Sequence, residues 1–386
     1  MARETNTPKH ISTIAARANG YVDRQSGGVV PPIQQSTTFL RDADYELEVP
    51  GNSYGRDNND QVRLAEEIIC ALEGGEDSLL FASGMASIAA LVASLKRGET
   101  LLMQSGAYWG TLAYMRDVCR HREIKLVEAD STDLAGFGAT IESQKPKLVF
   151  VEVPSNPWIR LCDIRSIAKV AHSNGASMVV DATAATPVLL KPLELGADIV
   201  MHSVTKAING HTDVLAGVLT CSDPVSPIWQ HVCKHRHSEG AILSAQSAWM
   251  IIRGMRTLPL RIERMCENAR TIADFLSRHE AVEEVWYPAL ASHPDHDLAQ
   301  SQMPGGFGYL LSFLVKGGRD NALRFCRHLT GIHRATSLGG TESLVEHRHT
   351  IEGAMTGCPE NLIRLSVGIE NEKDLIDELD QALKKI

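Results

Sequence analysis

Through residues 56–254, short apolar runs alternate with stretches whose apolar residues recur every three or four positions. The runs Ser78–Ala82, Thr100–Gln104, Ile124–Glu128, Lys147–Glu152, Ser177–Asp181 and Ala197–Met201 have strand length and are almost continuously apolar, the form buried strands take. Helical spacing begins at Asp57, with Val62, Ala65, Ile68 and Leu72 on one face and Gly74-Gly75 as its stop. A second helical pattern follows Ser83-Gly84 and carries Met85, Ile88, Val92 and Leu95. Repetition of these units predicts an α/β fold, a mostly parallel central sheet with helices on both faces. Residues 1–55 keep no period and contain Gly27-Gly28 and Pro31-Pro32, so they read as an extended N-terminal arm lying on a neighbouring subunit. From residue 255 the pattern changes to a long helical stretch, strands at Val282–Trp286, Gly308–Val315 and Leu362–Gly368, and helices over 320–329 and 372–385. The expected division is the arm (1–55), a main domain (56–254) and a smaller C-terminal α+β domain (255–386).

Composition narrows the function classes. The chain has 386 residues, 44% hydrophobic and 22% charged, with a formal net charge of -9. That balance gives no electrostatic reason to expect nucleic acid. Neither a signal-like apolar core at the start nor an apolar run of membrane-span length is present, so a cytoplasmic, membrane-free location is expected. The eight cysteines are scattered without a Cys-x-x-Cys pair, the usage of reduced thiols. The clusters Cys233/His235/His237, His293/His296 and His347/His349 offer no obvious fourth ligand, and polar helix or loop is the better reading; no metal is expected.

Candidate chemistry gathers at strand ends, where ligands of parallel sheets bind. After the run ending at Met201 comes His202-Ser203-Val204-Thr205-Lys206-Ala207-Ile208-Asn209-Gly210. A partly desolvated lysine favours its neutral amine, which condenses with aldehydes, and the hydroxyls of Ser203 and Thr205 suit a phosphate. Together they suggest pyridoxal 5'-phosphate (PLP) bound through Lys206; in isolation the stretch would read as a surface lysine. Ser83-Gly84-Met85 between strand and helix aims backbone N–H groups at an anion, although many such turns hold glycine for steric reasons. Asp181 can keep a pyridine nitrogen protonated, or cap a helix. Tyr108 can stack on a ring, or merely pack. Tyr54-Gly55-Arg56 offers a phenol and a guanidinium to an anion, or forms a solvated turn. Arg364, inside an apolar strand, requires a partner, which is either a substrate carboxylate or an internal Asp or Glu.

Six motifs in order carry a family resemblance: Tyr54-Gly-Arg56, Ser83-Gly-Met-Ala86, Val153-Pro-Ser-Asn-Pro157, Ser203-Val-Thr-Lys206 with its sequel to His211, Ser337-Leu-Gly-Gly-Thr-Glu-Ser-Leu344 and Ile363-Arg-Leu-Ser-Val-Gly-Ile-Glu370. Over nearly the whole chain they resemble the cysteine and methionine metabolism family of PLP-dependent enzymes: the cystathionine γ-synthases, cystathionine γ- and β-lyases and methionine γ-lyases. The resemblance implies fold type I and a homotetramer, a dimer of dimers with shared active sites. It assigns the internal aldimine and the proton shuttle to Lys206. The phosphate falls to Gly84, Met85, Ser203 and Thr205, with Ser83 in the same turn and with Tyr54 and Arg56 from the neighbouring subunit. Residues 56–254 become the PLP-binding domain. Asp181 pairs with the pyridine nitrogen, Tyr108 covers the ring and helps deprotonate the incoming amine, and Arg364 with Asn156 and the Ser337 backbone binds the substrate carboxylate.

The chain departs from the family pattern at Ala182, Ala184 and Ala207, at Trp109-Gly110, where methionine γ-lyases tend to carry cysteine at the second position, and at Asn59-Asp60-Gln61. Thr336 stands where the cystathionine γ-enzymes favour glutamate, which removes a carboxylate able to meet a distal ammonium. The segment Glu346-His-Arg-His349 lies in a shortened stretch expected to border the substrate entrance. The expected activity is γ-elimination on a γ-substituted four-carbon amino acid such as methionine, homocysteine, cystathionine or canavanine. The alternatives are γ-replacement, cystathionine β-lysis and, remotely, a non-catalytic PLP-binding scaffold.

Overall fold

A computed structural model describes residues 9–353 and 356–386. Its strands, in chain order, are β1 (Asp77–Phe81), β2 (Thr100–Gln104), β3 (Lys125–Ala129), β4 (Leu148–Glu152), β5 (Ser177–Asp181), β6 (Ile199–His202), β7 (Gly217–Cys221), β8 (Val282–Trp286), β9 (Leu310–Val315), β10 (His333–Arg334), β11 (Leu344–His347) and β12 (Leu362–Ser366). Every strand expected from an apolar run is present, with ends shifted by a few residues. β7, β10 and β11 are not among the expected strands. Gly217-Val-Leu-Thr-Cys221 is short and opens on a glycine, and its pairing with β1 is antiparallel, so no strand-then-helix rhythm announces it.

The chain forms two units, one combining residues up to Ser94 with Met201–Leu260, the other combining Leu95–Val200 with Arg261–Ile386. In the first unit the Asp60–Glu73 helix starts three residues later than the spacing suggests, because Asn59 caps it by accepting from the Gln61 N–H at 3.0 Å. Gly74 ends it in the left-handed region at φ 73. Its apolar face buries Val62, Ala65, Ile68, Ile69 and Leu72 and packs on the Ala245–Met255 helix. The N-terminal stretch is less featureless than its sequence, since Ile11–Ala16 is helical. Beyond Tyr21 it is open chain with two isolated bridges, Thr38 to Tyr54 and Arg41 to Leu47.

In the second unit β5, β4, β2 and β3 lie side by side and parallel, as the alternation with helices requires. The strands of this unit's first sheet thus run parallel, while β1 and β7 of the first unit pair antiparallel. A smaller sheet follows in the order β10-β11-β12-β9-β8. One face of it forms a core from Leu311, Phe313, Val345, Ile363 and Leu365 against Phe325 and Leu379, with Phe313 and Phe325 edge to face at 5.6 Å. Alternation along β12 sends Arg364 to the other face, directly across from Glu346 on β11 and Ser312 on β9. Among the described residues no helix is long and apolar enough to cross a membrane.

Candidate active site

In the first unit the phosphate-binding candidates meet at the start of the Gly84–Ala93 helix. Ser83 is its N-cap and accepts from the Ala86 N–H at 3.1 Å, so the remaining first-turn N–H groups point outward with the positive end of the helix. Ser203, just past β6, lies against this turn. A Cβ built on Gly84 would stand 3.1 Å from the Ser203 Oγ and 3.2 Å from the Met201 Cε, so only glycine lets hydroxyl and turn approach this closely. Gly217 of β7 supports the turn from beneath, where a Cβ would stand 2.4 Å from the Ser83 carbonyl oxygen.

Thr205 is fixed by both backbone groups of Ala216. Its hydroxyl donates to the carbonyl at 3.1 Å and accepts from the N–H at 2.9 Å. The next residue, Lys206, is partly buried in a tight turn closed by Lys206 N–H to the Ser203 carbonyl at 3.0 Å and Gly210 N–H to the Lys206 carbonyl at 2.8 Å. Under the same segment His202 Nε2 and Glu73 Oε1 sit 2.5 Å apart, both wholly buried. Tyr54 and Arg56 are exposed; the guanidinium lies 5.8 Å from the Tyr54 ring and donates to the His237 carbonyl at 3.4 Å.

The second unit holds the remaining candidates. Asp181 at the end of β5 is buried, and its Oδ1 accepts from the Thr183 N–H at 3.0 Å and the Thr183 hydroxyl at 2.5 Å. Across the register, at the end of β4, stands Glu152. Burial and the neighbouring Asp181 charge push the Glu152 carboxyl well above its usual range, against the backbone N–H groups it accepts from. Glu152 also ties the turns after β2 and β4 together, accepting from the Tyr108 N–H at 2.6 Å and the Asn156 N–H at 2.9 Å. The half-buried Tyr108 ring rests over Gly110, where a Cβ would come within 2.7 Å of the Tyr108 Cε1. A cysteine at position 110 would therefore require the Tyr108 ring to shift from this place. Burial raises the Tyr108 phenol, and the Arg348 charge opposes that rise.

Arg364, 2% exposed, has a denser environment than its sequence suggests. Nη1 donates to the Asn156 Oδ1 at 3.0 Å, and Nη2 donates to the Ser337 carbonyl at 2.6 Å and lies 2.5 Å from the Glu346 Oε2. Ser337 takes φ 135 to present that carbonyl, a strained conformation for a residue with a side chain. The internal acidic partner left open by the sequence thus exists, while Arg364 Nε is buried without a hydrogen-bond partner. Thr336 is exposed.

The structure brings Asn156, Ser337 and Arg364 together, and in the first unit Ser83, Gly84 and Ser203. Glu152, Thr183, Glu346 and Arg348 were not singled out for these contacts. Thr183 follows Asp181 at turn spacing, which the sequence displays; Glu152 and Glu346 face Asp181 and Arg364 through strand register, which one-dimensional spacing does not display, and Arg348 reaches Glu346 and Glu352 from the short helix Arg348–Glu352. Cys233, His235 and His237 lie on the Pro227–Glu239 helix, His293 and His296 flank a turn, and His347 and His349 are tied to the Glu360 and Cys358 carbonyls. Among the described residues no group of three or more His, Cys, Asp or Glu is placed to hold a metal.

Comparison with known proteins shows the family. A model of the family described as Cys/Met metabolism PLP-dependent enzyme matches residues 12–384. The chain is 37% identical over 383 residues to cystathionine gamma-lyase of Dictyostelium discoideum, covering 97% of this chain and 98% of the relative. It is 38% identical over 385 residues to L-methionine gamma-lyase of Pseudomonas putida, covering 95% of both. The crystal structure of cystathionine gamma synthase from Xanthomonas oryzae pv. oryzae in complex with aminoacrylate and cysteine superposes with a TM-score of 0.93 at 36% identity, covering 98% of this chain and 99% of that one. The architecture is that of fold type I. PLP fits the residues present, since the glycine-lined helix start with Ser203 against it is a cradle that a single methyl on Gly84 would fill.

Proposed function

The chain belongs to the family of Cys/Met metabolism PLP-dependent enzymes, and from that premise we propose that it catalyses γ-elimination on an amino acid with a four-carbon skeleton and a sulfur or oxygen substituent at Cγ. The observation that carries the reading is the buried Arg364, flanked by Asn156 and the Ser337 carbonyl and still owing one N–H an acceptor, a deficit that a substrate α-carboxylate fills. PLP, when bound, supplies an aldehyde that condenses with amines and a protonated ring that withdraws electrons from the substrate's Cα.

Around it the residues divide the work. The N–H groups of Gly84 and Met85, with Ser83, Ser203 and Thr205, would hold the phosphate, and Asp181, oriented by Thr183, would keep the ring nitrogen protonated. Tyr108 would cover the ring and take a proton from the incoming ammonium. Lys206 Nζ would take the Cα proton and, once it has given that proton up, a Cβ proton, after which the Cγ substituent would depart with the proton that Tyr108 holds. Water then releases the carbon skeleton as a 2-oxo acid with ammonia.

Thr336 weighs against cystathionine among these substrates, because no carboxylate stands there to recruit its distal ammonium. γ-Replacement is the second reading, favoured by the likeness to a cystathionine gamma synthase structure. It shares the early proton transfers and differs in the group that captures the unsaturated skeleton. Methionine, homocysteine, cystathionine, canavanine and O-acylhomoserines, each incubated with holoenzyme, separate the two. Elimination yields 2-oxo acid and ammonia in equal amounts without an added thiol. Turnover that requires a thiol co-substrate overturns elimination.

The exposed Tyr54 and Arg56 support a further part of the proposal, that the N-terminal arm (1–55) serves a neighbouring subunit in a tetramer of two site-sharing dimers. On this account residues 56–254 form the PLP-binding domain and 255–386 the C-terminal α+β domain, in a cytoplasmic enzyme.

A further inference from the structure

Behind Arg364 the charges alternate along a buried chain. Glu346 Oε2 receives Arg364 Nη2 on one side and Arg348 Nη1 on the other, and Arg348 turns its Nε and Nη2 onto Glu352 Oε1. The side chains of all four residues are 3% exposed or less. Two of their polar atoms are buried without partners, Arg364 Nε and Glu346 Oε1. The countercharge is shared unequally. Burial acts to lower both guanidinium pKa values; at Arg348 the two carboxylates outweigh it and the value is raised, whereas at Arg364 burial wins over Glu346 and the value falls to about 10.

From this geometry we propose that Glu346 and Arg348 are positioning residues for substrate binding: Glu346 anchors the Nη2 corner of Arg364 so that its Nε edge faces the substrate carboxylate, and Arg348 neutralises Glu346. The inference rests on the reading of Arg364 as the carboxylate anchor. Without Arg348, Glu346 would both repel an incoming carboxylate and compete with it for the same guanidinium. With Arg348 held on Glu346 and Glu352, the carboxylate meets an arginine short of negative charge. This also gives a purpose to Arg348 within Glu346-His-Arg-His349, a segment that the assignment of cofactor contacts leaves unused.

The test compares holoenzyme binding of alanine with that of ethylamine, which is alanine without its carboxylate, each followed by the change in cofactor absorbance. Arg348→Met is expected to weaken alanine about tenfold or more, the scale of one uncompensated charge near an ion pair, while ethylamine changes less than about twofold. The double variant Glu346→Gln/Arg348→Met is expected to regain most of the alanine affinity, because the carboxylate in contact with Arg364 is gone and only Glu352, which does not touch Arg364, loses its partner. Glu346→Gln alone keeps a hydrogen-bond acceptor for Arg364 and is expected to bind alanine at least as tightly as the wild type, which keeps the proposal testable should Arg348→Met fail to retain cofactor. Equal weakening of both ligands in Arg348→Met, a double variant no better than that single one, or weaker alanine binding by Glu346→Gln overturns it. Arg364→Lys separates the two levels. Loss of alanine-over-ethylamine discrimination there together with its retention in Arg348→Met defeats this inference alone, and undiminished discrimination in Arg364→Lys defeats the carboxylate anchor itself.

Discussion

Gly110 shows how a single side chain can be decided by its neighbour's ring. A methyl on Gly110 enters the space of the Tyr108 ring, which must tilt away. Gly110→Cys is therefore expected to lower kcat about tenfold or more through misplacement of Tyr108, with a melting temperature within a few degrees of the wild type; unchanged kcat would remove Tyr108 from its proposed place over the cofactor. Lys206, Asp181 and Arg364 could be picked out from sequence because each breaks an apolar pattern at the end of a run or inside one. Their partners could not. Glu346 faces Arg364, and Glu152 faces Asp181, through strand pairing between positions far apart in the chain. Periodicity within one strand assigns a face and leaves the opposite residue unnamed.

The same division appears among elements. Parallel strands separated by helices were legible because burial on both faces makes them continuous apolar runs, whereas antiparallel β7 was not. Yet β7 supports the phosphate turn, and Gly217→Ala is expected to reduce cofactor affinity, read as PLP released on dialysis, more than Ser83→Ala does. Removing the Ser83 cap should cost the helix about 1 kcal/mol. The Asp60–Glu73 helix carries a pH dependence of its own. Glu66 accepts from the Leu80 N–H and from Arg236, and burial, against the opposing Arg236 charge, raises its carboxyl from 4.5 to about 7. A raised folded-state value means that the Glu66 contribution is complete below pH 4.5 and lost as pH rises to about 7, a swing of at most about 3 kcal/mol. Glu66→Gln is expected to flatten denaturation stability across that window. A variant curve parallel to the wild type would show that Glu66 ionises normally.

For the whole molecule, the proposal of shared sites makes a prediction that one chain cannot satisfy. Arg56→Ala and Lys206→Ala proteins, each inactive alone, should recover about a quarter of wild-type activity when unfolded together and refolded, because hybrid dimers rebuild one intact site from two defective chains; no recovery would place Arg56 and Lys206 in a site made by a single chain. The central claim is that Lys206 drives γ-elimination from an amino acid whose carboxylate Arg364 holds. Its most direct measurement is release of 2-oxo acid and ammonia by wild-type and Lys206→Ala holoenzyme across the γ-substituted amino acids, with no added thiol. At least one substrate is expected to give equimolar products with the wild type and a rate lower by at least about a thousandfold with Lys206→Ala. Equal product release by the two proteins, or none from any substrate until a thiol is supplied, would contradict it.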